Sequence, residues 1–458
     1  MNTFEKTVIL DAKKEMVFEY HEKPGALKRL SPPWQKLKVI KQTKGILEGS
    51  RVTMDLYDPV KIRWKALHTK YEKDSFFEDL QLKGPFYSWT HSHSFKDIHD
   101  HNSFMTDKIK YSLFLDKITG FIFKSALQNK LERIFSYRHK ILKRDIESMK
   151  KFTGKKTILL GGASGLLGSL LIAKLSACGH NVKLLVRKYP ENENEYYWNS
   201  QKRLIDKRCF DNVDVVINLS GEPIGAGIWT KSKKKKIIDS RVDTTSLIAE
   251  TIDELKNPPE LFISASATGF YGNRGAEKLD ENSSKGKLFI SRVCDEWEKA
   301  SILKKNTSTR IINLRTGLVF TPEGGVLPLI LQSFYTGFSG VPGSGNQYLS
   351  WISSEDWINI IYESIFNTNI HGAVNACSPD PMTFKEIMDT ISDITGIPYY
   401  LKIPAPVIKF LLGQRGYETI LCGSRAYPEK MISNGFSFFH NSLENALREM
   451  LGKEKNLN

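Results

Sequence analysis

The octapeptide GGASGLLG at residues 161–168 follows a short hydrophobic run, Lys156–Leu160, and precedes a helical pattern through Leu170, Leu171, Leu175 and Ala177. A strand, a glycine-rich turn and a helix in that order open a βαβ unit, and this narrows the fold to a doubly wound parallel sheet. Gly162 is placed to take the tight turn, Gly165 to let a pyrophosphate approach the backbone, and Gly168 to let the helix lie close to the strand. Free amides at the helix start then receive phosphate. The residues expected to touch a dinucleotide here are Gly162, Ser164, Gly165, Leu166, Leu167 and Gly168.

The next strand, Asn181–Val186, ends in Arg187 and Lys188. A carboxylate at this place would hold a ribose 2'-hydroxyl, whereas an arginine pairs with a 2'-phosphate. Arg187 can make that contact through two charge-assisted hydrogen bonds, so NADP (NADPH) is expected in preference to NAD. A third hydrophobic strand, within VDVVINLSG, delivers Leu219, Ser220 and Gly221 to the edge of the sheet where ligands bind. A fourth, Pro259–Ser264, leads to Ser266.

At 458 residues the chain exceeds the size at which one core usually stops growing, so two domains are expected. The net charge of +15 supplies a positive field. Its densest run, Lys231–Lys236, reads as a solvated helix face, and without zinc-finger spacing no nucleic-acid partner is expected. Five scattered cysteines outline no disulfide framework. The N-terminus lacks a secretory apolar core, and no run reaches the roughly 18 apolar residues of a transmembrane segment. A cytoplasmic protein is expected.

Residues 1–148 read differently. A strand at Phe4–Leu10 and helices at Lys13–Tyr20 and Pro24–Leu30 precede six strand candidates: Leu37–Ile40, Arg51–Tyr57, Lys61–Tyr71, Phe76–Leu82, Phe86–Phe95 and Asn102–Phe114. Turns are expected at Asp58-Pro59 and Gly84-Pro85, and an amphipathic helix at about 122–143 to cover the antiparallel sheet. The charged stretch Lys143–Lys156 reads as a domain boundary.

This element order resembles the START-like, or polyketide-cyclase-like, α+β helix-grip fold (SRPBCC). The resemblance implies an apolar ligand between sheet and helix. Trp64, Phe76, Phe86, Trp89 and Phe114 would then line a cavity, or else simply fill a core. His91 and His93 share a strand face, but no third ligand is in view, so no metal site is expected.

From residue 156 to about 450 the resemblance is to atypical short-chain dehydrogenase/reductases described as epimerase family proteins, relatives of NAD-dependent epimerases and dehydratases. It is carried by GGASGLLG, VINLSGEPIGAGIWT, FISASATGFYG, LRTGLVFTPEGGVLP, GSGNQYLSWISSEDW and the C-terminal FLLGQRGYETILCGSRAYPEKMISNGFSF. It implies an oxidoreductase or epimerase-like enzyme acting on a small carbonyl or hydroxyl substrate, with a substrate-side region from about residue 380. An ordinary reductase of this kind carries Tyr and Lys on one helix face, where the cation lowers the phenol pKa. Here Leu288 and Arg292 stand at those places.

Substitutes are Ser266, which can hydrogen-bond a carbonyl oxygen, Tyr271, whose phenol Arg292 would activate, and Glu222, a base or hydroxyl ligand beside a strand end. Arg241 could anchor an anion, and Ser353 with Asp356 reads as a helix cap. Two alternatives stand beside the enzyme: a non-catalytic, NADP-responsive binding protein, and lipid-like ligand transfer by the N-terminal domain.

Overall fold

The structure, a computed structural model, describes residues 1–57, 60–99, 101–113 and 116–454. The expected Asp58-Pro59 turn and Phe114 lie outside these. Two units are distinguished: Met1–Lys155 with Ile172–His180 and Glu449–Gly452, and Lys156–Leu171 with Asn181–Arg448 and the residues from Lys453.

The first unit opens with β1 (Asn2–Leu10), α1 (Lys14–Glu22) and α2 (Ala26–Arg29). Then come β2 (Lys36–Gln42), β3 (Arg51–Tyr57), β4 (Lys61–Glu72), β5 (Phe76–Lys83), β6 (Ser88–Asp97), β7 (Ser103–Ser112) and α3 (Asp116–Lys151). The strands form one antiparallel sheet in the order β1-β7-β6-β5-β4-β3-β2. β7 shows why: its odd-numbered residues from Ser103 to Tyr111 are buried and none of the alternate ones is, the two-residue period of a sheet with one covered face. Ile109 and Tyr111 on that face pack with Phe4, and with Leu131 and Phe135 of α3.

A cavity of about 590 Å³ lies in this unit, with Trp64, Phe86, Trp89, Leu131 and Phe135 in its wall. Phe76 is not among its lining residues; Phe77 is. Successive strand residues face opposite ways, and Phe77 is the one turned inward, only 3% exposed.

The helix expected to end near residue 143 is corrected, because α3 runs on to Lys151, and the two units part at Lys155 and Lys156, within the charged stretch Lys143–Lys156. Ile141, Leu142 and Ile146 are buried, and Asp145 sits among them with no exposure at all. An acid on the buried stripe hides the helical period. Its carboxylate accepts hydrogen bonds from Arg29 Nε and Nη2, each at 2.9 Å, from Lys174 Nζ at 2.8 Å and from the Tyr20 hydroxyl at 2.8 Å. All four groups belong to the first unit. Burial alone pushes the Asp145 carboxyl upward, but Arg29 and Lys174 outweigh it and hold the group well below the usual carboxylate range.

The second unit contains β8 (Thr157–Gly161), α4 (Leu166–Ala177, whose last turns group with the first unit), β9 (Asn181–Val186), β10 (Glu195–Asn199) and β11 (Leu204–Ile205). There follow β12 (Val215–Asn218), α5 (Lys231–Glu254), β13 (Leu261–Ala267), α6 (Phe289–Ala300), β14 (Arg310–Thr316) and β15 (Gly372–Ala376). The sheet order is β11-β10-β9-β8-β12-β13-β14-β15, parallel throughout except at β11. This is a Rossmann-type sheet. The chain order reverses at β8, between β9 and β12, which opens a crevice at the C-terminal strand ends. Val215, Val216 and Ile217 are wholly buried, as expected for a strand covered on both faces. Among the described residues no helix is long and apolar enough to cross a membrane.

Asp145→Asn is expected to cost about 3–5 kcal/mol, because it leaves two buried cations underpaired. The wild-type contribution is complete above the unfolded-state aspartate pKa near ~3.9 and is lost as pH falls through the depressed folded value. Urea denaturation of both proteins at neutral and acid pH checks this; equal stability at neutral pH would show that the cluster contributes nothing.

Candidate functional site

The glycine turn is held by close backbone contact. Gly162 has φ +84°, and a Cβ there would meet the Leu219 carbonyl carbon at 2.7 Å. Leu219 N–H donates to Gly161 O at 2.9 Å, closing β12 against the turn. At Gly168 a Cβ would stand 2.4 Å from Gly162 O, so only glycine lets α4 start so near the strand. Gly165 N–H donates to Gly162 O at 3.1 Å, and its outer side is exposed along with Ser164. Leu166 and Leu167 are half-buried at the helix start.

The facing strand end is equally ordered. Asn218 accepts from Ser220 N–H at 3.1 Å and donates to Thr245 at 3.0 Å. The turn and the segment Leu219–Gly221 are therefore brought together at the head of the crevice. Arg187 is exposed directly after β9, the strand beside β8. Lys188 pairs with Glu191, whereas Arg187 has no hydrogen bond or ion pair among the described residues.

The four candidate catalytic residues are not brought together. Parallel register sets Ser266 opposite Arg315 and Arg315 opposite Asn375. Around that row a buried network forms. Glu298 on α6 accepts the Ser266 hydroxyl at 2.7 Å and a two-point contact from Arg315 at 2.9 and 2.9 Å. Arg315 also donates to the Tyr271 hydroxyl at 3.0 Å, and that hydroxyl donates to Asn375 Oδ1 at 2.7 Å.

Tyr271 is thus fully buried with its proton committed to Asn375, and burial pushes its pKa up in spite of Arg315. The expectation of an accessible acid fails for that reason. So does the partnership with Arg292, which is exposed and paired with Glu296 one turn along α6. The cation at the phenol is Arg315.

Leu288 immediately precedes α6, whose first amides, Phe289 and Ile290, donate to the buried Glu418 at 3.2 and 3.0 Å. Glu222 lies apart, with its carboxylate 2.6 Å from Lys233 Nζ. That hydrogen bond holds it below the usual glutamate range, which weakens it as a base. Arg241 is buried over the Trp297 ring and donates to the Glu222 and Ile237 carbonyls, so it is not a free anion anchor. Ser353 accepts from Asp356 N–H at 3.0 Å, as a helix cap should.

Glu298 and Glu418 escaped the sequence reading. Apart from Gln414 beside Glu418, their side-chain and amide partners lie 17 to 129 residues away along the chain, so little in the local sequence marks them.

The profile of the NAD dependent epimerase/dehydratase family matches residues 158–376. Epimerase family protein Mb2239 of Mycobacterium bovis is 34% identical over 290 residues, which span 63% of this chain and 96% of that protein. The chain belongs to the epimerase family. Its residues 403–450 also match a domain of unknown function, DUF1731.

Among solved structures, the nucleoside-diphosphate sugar epimerase of Corynebacterium glutamicum is similar to this family member over 99% of the present chain and 91% of its own. The TM-score is 0.80 and the identity 28%. Human epimerase family protein SDR39U1, solved with NADPH, matches 64% of this chain and 99% of its own, with a TM-score of 0.59 and 28% identity.

Gly168→Ala is expected to cost about 1–3 kcal/mol by forcing α4 off the turn, and to abolish dinucleotide binding; retained binding in a fluorescence titration would show the close approach to be dispensable. Tyr271→Phe should cost a similar ~1–3 kcal/mol through the groups left unpaired while leaving cofactor affinity unchanged. A lost affinity at intact fold would return the phenol to the site.

Proposed function

We propose that this epimerase family member is an NADP(H)-dependent enzyme of oxidoreductase or epimerase type, acting on a small sugar-nucleotide-like substrate through a hydroxyl or carbonyl carbon. The observation that carries the reading is the open glycine turn facing Leu219–Gly221, with the unpaired Arg187 at the next strand end. The exposed backbone at Ser164 and Gly165, and the three glycines at the turn, fit a pyrophosphate lying against the start of α4. Gly162, Ser164, Gly165, Leu166, Leu167 and Gly168 would hold it, Leu219, Ser220 and Gly221 would flank it, and Arg187 would take the 2'-phosphate. The human relative solved with NADPH and the Corynebacterium relative named as a nucleoside-diphosphate sugar epimerase support the choice of cofactor and substrate class.

When bound, the nicotinamide supplies a carbon that gives or takes hydride. The protein's part is orientation. Ser266, 3% exposed and with its proton committed to Glu298, does not donate to a substrate carbonyl as expected from the sequence, and belongs to the buried network that braces the strand ends. Glu222, kept ionised by Lys233, accepts a hydrogen bond from a substrate hydroxyl. In the first unit, the cavity beneath α3 is read as a START-like pocket for an apolar ligand.

A second reading, a non-catalytic NADP-responsive protein, is favoured by the sequestered Tyr271 and by Leu288 where a phenol would stand. Incubation with NADPH deuterated at one face of C4 and a panel of nucleoside-diphosphate sugars or their keto forms separates the two. Deuterium transferred from a single face supports the enzyme; tight NADPH binding with full label retention supports the binding protein.

Arg187→Ala is expected to weaken NADPH about ten- to hundredfold, the equivalent of one lost charge-assisted contact, and to leave NADH unchanged. Tighter binding of NADH by the unaltered protein would defeat the assignment of Arg187.

A further inference from the structure

One wall of the first-unit cavity is not apolar. Antiparallel register sets His68 of β4 opposite Asp79 of β5, and Asp79 opposite His91 of β6. Three adjacent strands thus present three donor side chains in one row. His93, two residues on, shares the face, and all four line the cavity. One donor atom from each of Asp79, His91 and His93 lies within 4.8 Å of the others, and His91 Nδ1 is 3.7 Å from Asp79 Oδ2.

Behind this cluster stands Asp107 of β7, wholly buried. Its Oδ1 lies 2.9 Å from His91 Nε2 and 2.8 Å from His93 Nδ1, and its Oδ2 lies 2.6 Å from His139 Nε2. The His91 Nε2 contact is a hydrogen bond, which leaves His91 Nδ1 as the lone pair free to bind. His93 Nδ1 lies close to the same carboxylate without a hydrogen bond to it. A carboxylate orienting a histidine through its far ring nitrogen is the arrangement that supports metal ligands.

Two further observations point the same way. The Asp79 carboxylate accepts no hydrogen bond from any described side chain, and His91 Nδ1 lies beside it at 3.7 Å. His68 Nδ1 is buried without a hydrogen-bond partner.

We propose that Asp79, His91 and His93 form a site for a divalent first-row transition cation, with its remaining position facing the cavity beside His68. Two imidazoles and one carboxylate are a donor set that suits Zn²⁺. In a tetrahedral site with bonds of about 2.0 Å the donors stand about 3.3 Å apart. Donors that lie within 4.8 Å of one another would draw in to that spacing on binding. A cation there would give the apolar cavity a point of attachment for a polar head group.

The test uses the full chain, treated with chelator, dialysed and titrated with Co²⁺ alone. One equivalent of Co²⁺ should produce visible ligand-field absorption that Zn²⁺ removes. Asp79→Asn should weaken binding at least tenfold, while Glu78→Gln, on the opposite face of β5, should leave it unchanged. If Asp79→Asn does not fold by circular dichroism, His91→Gln is read in its place. Absence of Co²⁺ absorption together with failure to draw Zn²⁺ from a chelating dye overturns the site. Co²⁺ binding unaffected by either substitution also overturns it, since the ion would then sit elsewhere.

Discussion

The contact between the glycine turn and the end of β12 is the constraint on which the second unit depends. Gly162 at φ +84° and Gly168 beneath its carbonyl leave no room for a Cβ, so backbone meets backbone at Leu219 and at the start of α4. That approach lets β8 sit between β9 and β12, and the reversal of chain order at β8 creates the crevice. A larger residue at either position would separate the elements that must converge there.

Buried charge is organised by the same logic in both units, each within itself. In the first, Asp145 answers Arg29 and Lys174 at a wholly buried point, and the long helix carrying it is held where apolar packing alone would accept a leucine. In the second, Glu298 answers Arg315 and receives the Ser266 hydroxyl. Two-point guanidinium–carboxylate contacts are directional as well as strong. The consequence for chemistry is concrete: the Tyr271 phenol is spent on holding Arg315 and Asn375 in place.

Much of the fold was legible along the chain. β3 and β9 have the limits that the alternation and the hydrophobic run imply, and the strand–glycine turn–helix order placed β8 and α4. Two errors have separate physical causes. α3 was read too short because Asp145 interrupts the apolar stripe, and its partners are distant in sequence. Phe76 was assigned to the cavity in place of Phe77 because two adjacent phenylalanines do not declare which one faces inward. The glycine turn was legible because backbone sterics fix it, whereas the side-chain network was not, since Glu298 and Glu418 take most of their partners from distant segments.

What the sequence determined by itself is therefore what short-range sterics can enforce: the glycine positions, the strand that follows them, and an arginine at the next strand end. The tertiary structure alone decided which side chains meet. Parallel register set Ser266, Arg315 and Asn375 in one row, and antiparallel register set His68, Asp79 and His91 in another. Register is settled by which faces must be buried across the whole sheet, and a shift of one residue would turn every one of these groups away.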